Sequence, residues 1–323
     1  MAAVTVGRQA SGSNQASAPS GAPATKRARR RAAEARAGYA FLAPWLFGFL
    51  ALTAGPMVAS LYLAFTSYDL FSAPEWIGLD NFEALFNDAR YRKSAQVTAI
   101  YVFVGTPIKL AAALAVAMLL NARRRGQGFY RSAFYLPSLV GASVSVAIVW
   151  KAMFNDEGVV DRIGGLAGIN WGGWVGDPSM TMPMMILLAV WQFGAPMVIF
   201  LAGLKQIPEQ LYEAAEVDGA GAVRKFFHIT VPMLTPVIFF NLLLETIHAF
   251  QIFSAAFIIS NGHGGPADST LFYTLYLYIK GFSEFRMGYA AAMAWVLVVV
   301  VGIITLIFFR SSRFWVFYSG EGR

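Results

Sequence analysis

Long apolar runs alternate with short polar connections along most of this chain. Six of the runs, residues 39–66, 94–120, 130–153, 182–204, 233–259 and 288–310, are long enough to cross a bilayer. Crossing takes about 20 residues in a helix that rises about 1.5 Å per residue. Most runs exceed that minimum, so tilting or extension beyond the hydrocarbon is expected. Pro56, Pro107, Pro137 and Pro196 fall inside runs, where neighbouring helices or water can satisfy the freed backbone groups. The pattern predicts an all-α membrane protein of six transmembrane helices.

Between the fourth and fifth runs the pattern changes. Ile207 to Pro236 reads as a polar helix-turn-helix. Pro208 opens a short helix, as proline does in a first turn. Leu211, Tyr212, Ala214 and Ala215 give that helix small and apolar faces, and Glu209, Glu213 and Glu216 place acids where the helix dipole favours them. Asp218-Gly219 signals a turn. A second short amphipathic helix is predicted from Ala222 to about His228, with Arg224 and Lys225 exposed and Phe226 and Phe227 available to pack. Pro232 and Pro236 are expected to permit a sharp re-entry into the membrane.

Composition and charge agree with a lipid environment. The 323 residues are 57% hydrophobic and 13% charged, against about 25% charged in soluble domains. The absence of cysteine excludes disulfides, thiol catalysis and cysteine-ligated metals. The net charge of +7 is unevenly spread. If the N-terminus lies inside, the inner segments carry 17 Lys/Arg against 6 Asp/Glu, and the outer segments carry 6 against 11. That asymmetry sets both termini in the cytoplasm and explains the basicity without nucleic acid. Residues 1–36 read as a disordered basic tail, ending in Lys26, Arg27, Arg29, Arg30, Arg31 and Arg36, a topology signal at an anionic lipid surface. No small-residue cleavage site follows it, so the first run is expected to be retained. Residues 37–312 then form one membrane domain, with a polar segment at 205–232, and residues 313–323 form a short cytoplasmic tail.

The polar segment resembles the EAA loop of permease subunits in binding-protein-dependent ABC importers. Glu213, Ala214, Ala215 and Gly219 match its first part, and Ile229, Val231 and Pro232 its second, with Val in place of the usual Leu. Ile207-Pro208 and Asp218-Gly219-Ala220 match the variant of sugar importers. Ile77-Gly78-Leu79-Asp80-Asn81-Phe82 is similar to an external element of those permeases. Arg125-Gly126, Arg131 and Leu136-Pro137 match their approach to the third span, and Asn261 to Thr270 resembles their loop before the last span. In that loop Ser260 replaces a threonine and His263 is unusual.

The resemblance implies that Tyr212, Glu213, Ala214, Ala215, Asp218, Gly219, Ala220 and Arg224 form coupling helices that dock on a cytoplasmic ATPase. It also implies a second permease subunit, two ATP-binding subunits, an extracytoplasmic solute-binding protein and a carbohydrate substrate, in the plasma membrane of a bacterium. This chain would bind no cofactor, since ATP and Mg belong to the ATPase subunits. No Walker-type phosphate loop, zinc-protease motif or serine-hydrolase elbow occurs in the sequence, so it reads as a transport subunit rather than an enzyme.

Asn241, Glu245 and His248 lie within an arc of about 60° on the fifth predicted span, at about 100° per residue. A charge at mid-membrane costs roughly 2.5–3.5 kcal/mol, so this stripe should face a cavity or a partner. Lys109 faces the same difficulty and is available to pair with Glu245. Two readings stay open, a pathway wall that bonds sugar hydroxyls and an interhelical clamp. Gln192 and Phe193, beside Trp191, offer a second surface for a sugar, with Trp191 itself read as packing. Trp150, Trp171 and Trp174 read as interface anchors. A proton-coupled transporter relaying through Lys109, Glu245 and His248 is the alternative function, and a membrane scaffold a further one.

Overall fold

The structure, a computed structural model, describes residues 24–121, 126–141, 143–166, 168 and 172–317, with side chains from Arg36 onward except that of Gln127. It divides into two compact units, at Ala59/Ser60. The described part of the first unit is helix α1 (Ala24–Phe49), a π turn at Leu50–Ala54 and the start of α2 (Gly55–Leu63). The helix begins inside the stretch 1–36 that reads as a disordered tail, because alanine and arginine are strong helix formers; residues 1–23 lie outside the described residues. Its apolar side chains, among them Phe41, Trp45, Phe47 and Leu52, are exposed, which suits contact with lipid.

In the second unit, a short antiparallel pair, β1 (Thr66–Ser67) and β2 (Glu75–Trp76), leads to α3 (Asp80–Asn87). The second span is α4 (Ala89–Ile100), a π turn at Tyr101–Gly105 and α5 (Thr106–Asn121), without a break. The third run is split into α6 (Gln127–Val140) and α7 (Val144–Phe154), followed by α8 (Val159–Leu166). The fourth is split into α9 (Pro178–Trp191) and α10 (Gly194–Leu204). Four helices are long and apolar enough to cross a membrane alone, and these two bent pairs qualify together, so the protein is an all-α membrane protein with four to six candidate spans.

Proline does not bend the chain at every place it occurs. Pro56, Pro107 and Pro232 each follow a five-residue π turn by two positions. The widened turn accommodates the ring and the missing N–H within a continuous helix. The true breaks fall at 141–143 and 192–193, next to Gly141 and Gly194.

After the fourth span come α11 (Glu209–Val217), α12 (Ala222–Lys225), a π turn at Phe226–Thr230, α13 (Val231–Phe250) and α14 (Ser254–Ile259). Then α15 (Tyr273–Tyr278) and a π turn at Ile279–Ser283 precede the last span, α16 (Met287–Trp315). Two of the unit's three apolar clusters join the second and fourth spans. One joins Val97, Trp150, Met184, Leu188, Ile259 and Phe272, and the other joins Leu110, Ala117, Phe200, Leu204, Ile207 and Leu234. Trp150 is therefore a core residue, 8% exposed, rather than an interface anchor; Trp174 packs partly buried on the same cluster, and Trp171 lies outside the described residues.

The end of the unit away from α11 is tied by polar side chains. Asn81 Nδ2 donates to the carbonyls of Ala64 and Thr66 at 3.0 and 2.8 Å. Gly288 lets α16 approach there, since a Cβ would overlap the Thr66 carbonyl. Arg90 forms two bonds to Asp268, at 3.1 and 2.8 Å. Thr181 Oγ1 meets Ser269 Oγ at 3.0 Å, and Lys151 reaches Asn261 Oδ1 at 2.6 Å. The 261–270 loop, with Gly262 and Gly264 at positive φ, is thus pinned from three helices.

Asp88 caps α4 by accepting from the N–H groups of Arg90 and Tyr91. It also accepts from the hydroxyls of Tyr276 at 2.5 Å and Tyr289 at 2.9 Å. Partial burial pushes its pKa up, but these bonds outweigh that and hold the carboxyl below its ordinary range. A depressed folded-state pKa contributes stability above the unfolded value of 3.8 and loses it as pH falls through the folded value. Asp88→Asn is therefore expected to melt below the wild type at pH 7 in detergent, with the gap narrowing below about pH 4. A gap that stays constant down to pH 3 would contradict this account.

Candidate functional site

Two places collect the polar chemistry that the fold does not consume. The first is a cavity of about 230 Å³ between the two apolar clusters. Four helical spans line it, contributing Tyr101, Lys109, Ser143, Gln192, Glu245 and His248 among others. Lys109 Nζ and Glu245 Oε2 pair across it at 2.7 Å, with side chains 15% and 13% exposed. Such a pair resolves the cost of two charges at membrane depth, because each supplies the counter-charge that lipid cannot. Glu245 and Lys109 thus clamp the second span to the fifth, and both also line the cavity.

The break in each bent span reaches this cavity. Gln192 Nε2 donates to the Gly141 carbonyl at 2.8 Å, and Ser138 Oγ donates to the Gln192 carbonyl at 3.1 Å. Helical residues that lose an i→i+4 partner must find another in an apolar medium, and here each break supplies the other. His248 is exposed at the cavity wall. Asn241 does not line the cavity; it is 1% exposed, and its Nδ2 has no hydrogen-bond partner among the described residues. Phe193 turns away to pack on the second cluster and against Phe134. Trp191 packs on Trp150 at 5.9 Å between ring centres.

The second place is the hairpin α11–α12. Helix α11 ends in a paired cap: Ala220 N–H bonds the Ala215 carbonyl at 2.8 Å and Gly219 N–H bonds that of Glu216 at 3.0 Å. Gly219 carries the turn at φ +74, a conformation that costs other residues about 1–2 kcal/mol. Lys225 closes the hairpin on Glu216 at 2.6 Å, and that bond and charge lower the Glu216 pKa. Glu213, Ala214, Asp218 and Arg224 are exposed, Ala215 and Ala220 half-buried. Val217, Val223 and Phe227 add apolar exposure of 88%, 73% and 61%. Tyr212 instead faces the body, with its hydroxyl 2.8 Å from Thr230 Oγ1, and so positions the hairpin.

One expectation changes here. The second helix is not short, and Pro232 and Pro236 make no sharp re-entry: helix runs from Ala222 through the π turn to Phe250. The Pro232 carbonyl, deprived of the Pro236 N–H, takes the Thr235 hydroxyl at 2.7 Å. Thr235 Oγ1 in turn accepts from Phe317 N–H at 2.9 Å, which ties the chain beyond α16 to the base of the fifth span. Thr235 was not legible as a tether, because its partner lies 82 residues away.

Comparison with known proteins settles the class. The family described as "Binding-protein-dependent transport system inner membrane component" matches residues 100–315. The chain belongs to this family. It is a multi-span permease component of the bacterial inner membrane, of an ABC importer type whose permease subunits carry no ATPase activity. It is 52% identical over 303 residues, 93% of this chain and 98% of the relative, to "Probable ABC transporter permease protein YesP" of Bacillus subtilis (strain 168). It is 33% identical over 282 residues, 85% of this chain and 94% of the relative, to the lactose transport system permease protein LacF of Rhizobium radiobacter. Its fold matches a chain of a bacterial alginate ABC transporter, solved in complex with an alginate pentasaccharide-bound periplasmic protein, with a TM-score of 0.73 at 22% identity over 88% of this chain and 96% of that one.

Lys109→Met is expected to destabilise the permease by about 3 kcal/mol, because Glu245 is left unpaired. Lys109→Met with Glu245→Met should recover most of that loss. A double-mutant cycle of thermal melting in mild detergent measures both; additive losses would show that the pair contributes nothing as a pair.

Proposed function

We propose that this permease forms half of the translocation pathway of an ATP-driven importer for a sugar or oligosaccharide. A second permease completes the path, two cytoplasmic subunits hold ATP and Mg, and an extracytoplasmic solute-binding protein delivers the sugar. The names of its relatives, a lactose permease and a transporter solved with an oligosaccharide-loaded periplasmic protein, support the carbohydrate class. The observation that carries the coupling part is the hairpin itself: an exposed, capped, two-helix projection between spans, with small residues and bare apolar side chains at its surface. Ala214 and Ala215 allow close approach of a partner, and Val217, Val223 and Phe227 give it apolar area to bury.

Both termini and the hairpin lie in the cytoplasm, on the basic side. ATP binding closes the ATPase pair, the hairpin moves with it, and the long helix from Ala222 to Phe250 transmits the displacement towards Glu245 and His248. The cavity walls offer what a sugar needs: an amide at Gln192, a carboxylate at Glu245, an imidazole at His248 and a phenol at Tyr101. Proton coupling through Lys109, Glu245 and His248 is the competing mechanism. Uptake that survives an uncoupler while ATP is maintained separates the two.

Gly219→Pro removes both the positive φ and the N–H of the cap. Gly219→Pro and Asp218→Lys are each expected to leave the chain in the membrane at normal level and to cut sugar uptake at least about tenfold, the equivalent of 1.4 kcal/mol or more of coupling. Uptake of radiolabelled sugar in whole cells, beside quantified membrane insertion, reads this out. Wild-type uptake in both variants would sink the coupling assignment.

A further inference from the structure

The cavity is closed at one end by its own wall. Lys109 on α5, Gly141 after α6, Gln192 after α9 and Glu245 on α13 are, on their four helices, the lining residues nearest the hairpin. They are joined in two bridges, Lys109 to Glu245 at 2.7 Å and Gln192 to the Gly141 carbonyl at 2.8 Å. Beyond them towards the hairpin lies the second apolar cluster, where Leu110, Met197 and Leu234 are 7%, 0% and 0% exposed.

Two further observations bear on what this closure does. Both broken spans break beside it, the third bent by 94° and the fourth by 47°. The breaks touch: a Cβ on Gly141 would stand 2.5 Å from Gln192 Cγ, and one on Gly194 would stand 2.5 Å from Ser138 Oγ. One turn past Glu245 towards the hairpin, Asn241 keeps a buried amide nitrogen without a partner among the described residues. A buried donor left unpaired is disfavoured, and here it sits directly beyond the bridges, where a passing hydroxyl would pair it.

We propose that the two bridges form the inner seal of the cavity, and that sugar leaves towards the hairpin only when the Lys109–Glu245 pair parts. This rests on the transport reading above. In an empty cavity, parting the pair strands two charges away from water, which keeps the seal shut at rest, until nucleotide-driven movement of the hairpin parts it. A polyhydroxylated substrate offers an acceptor to Lys109 and a donor to Glu245, so the seal opens at lower cost when the cavity is loaded. Asn241 is then the next polar group the sugar meets.

The natural absence of cysteine permits a direct test. Ile108 adjoins Lys109 on the second span, Phe240 lies five residues before Glu245 on the fifth, and they are 47% and 48% exposed. Ile108→Cys with Phe240→Cys takes two spin labels in the whole reconstituted importer and leaves the bridges intact. Pulsed electron resonance should give one distance at rest and a population longer by about 5 Å, the scale of a one-turn shift, during nucleotide-driven cycling. Adding Lys109→Met and Glu245→Met should bring the longer population into the resting state. If that variant does not assemble, Glu245→Gln should do so in part. A single unchanged distance in every nucleotide state, or a resting distance indifferent to loss of the pair, would overturn the proposal and leave a static clamp. The distances are read without sugar. Failure of the unlabelled importer to take up any sugar would therefore count against the transport reading instead.

Discussion

A polar group at the depth of a bilayer has no water to turn to, and that constraint decides where this chain is straight, where it breaks and what fills the breaks. Three prolines pass inside continuous helices because a π turn precedes each. Where helices do break, at 141–143 and 192–193, the freed groups satisfy one another through Gln192, Gly141 and Ser138. The two breaks must therefore lie side by side, and the cavity lies against them. Lys109 and Glu245 obey the same rule for charge. Along the cavity wall Lys109, Glu245 and Gln192 already hold partners.

Around that centre the two ends of the second unit are built differently. At one end Asn81, Asp88, Arg90, Thr181 and Lys151 cross-link loops to helix ends, and the tyrosines at 276 and 289 converge on one carboxylate. At the other end a single hairpin projects, held by Tyr212 on Thr230, by the Glu216–Lys225 pair and by a glycine cap. A stapled end and a projecting end suit a body that receives a substrate on one side and force on the other. An unbroken helix runs from the hairpin to the cavity wall.

Much of this was legible in the sequence. Each apolar run falls on a candidate span, four on a single helix and two on a bent pair, since their length alone meets the thickness of lipid, although the helix of the fifth begins earlier, at Ala222. The Asp218-Gly219 pair marked the turn because few residues accept a positive φ. The spacing of Asn241, Glu245 and His248 marked a polar stripe, and the isolation of Lys109 in an apolar run suggested its partner. Other features were not legible. Pro232 and Pro236 read as a sharp re-entry, but the helix runs on through them, because a π turn leaves no sign in residue type. Trp150 read as a surface anchor but packs in the core, because Trp174 and Trp191, which pack on the same cluster, come from separate segments.

The sequence by itself determined the solvent, the helical class, the number of apolar runs and the hairpin with its turn, because each of these depends on local composition and on periods of a few residues. Tertiary structure alone decided which members of the polar stripe reach the cavity, that Phe193 turns away while Gln192 spans a break, and that Tyr212 faces inward. Those outcomes depend on which helix faces which, and on carbonyls that only another segment's donor can satisfy.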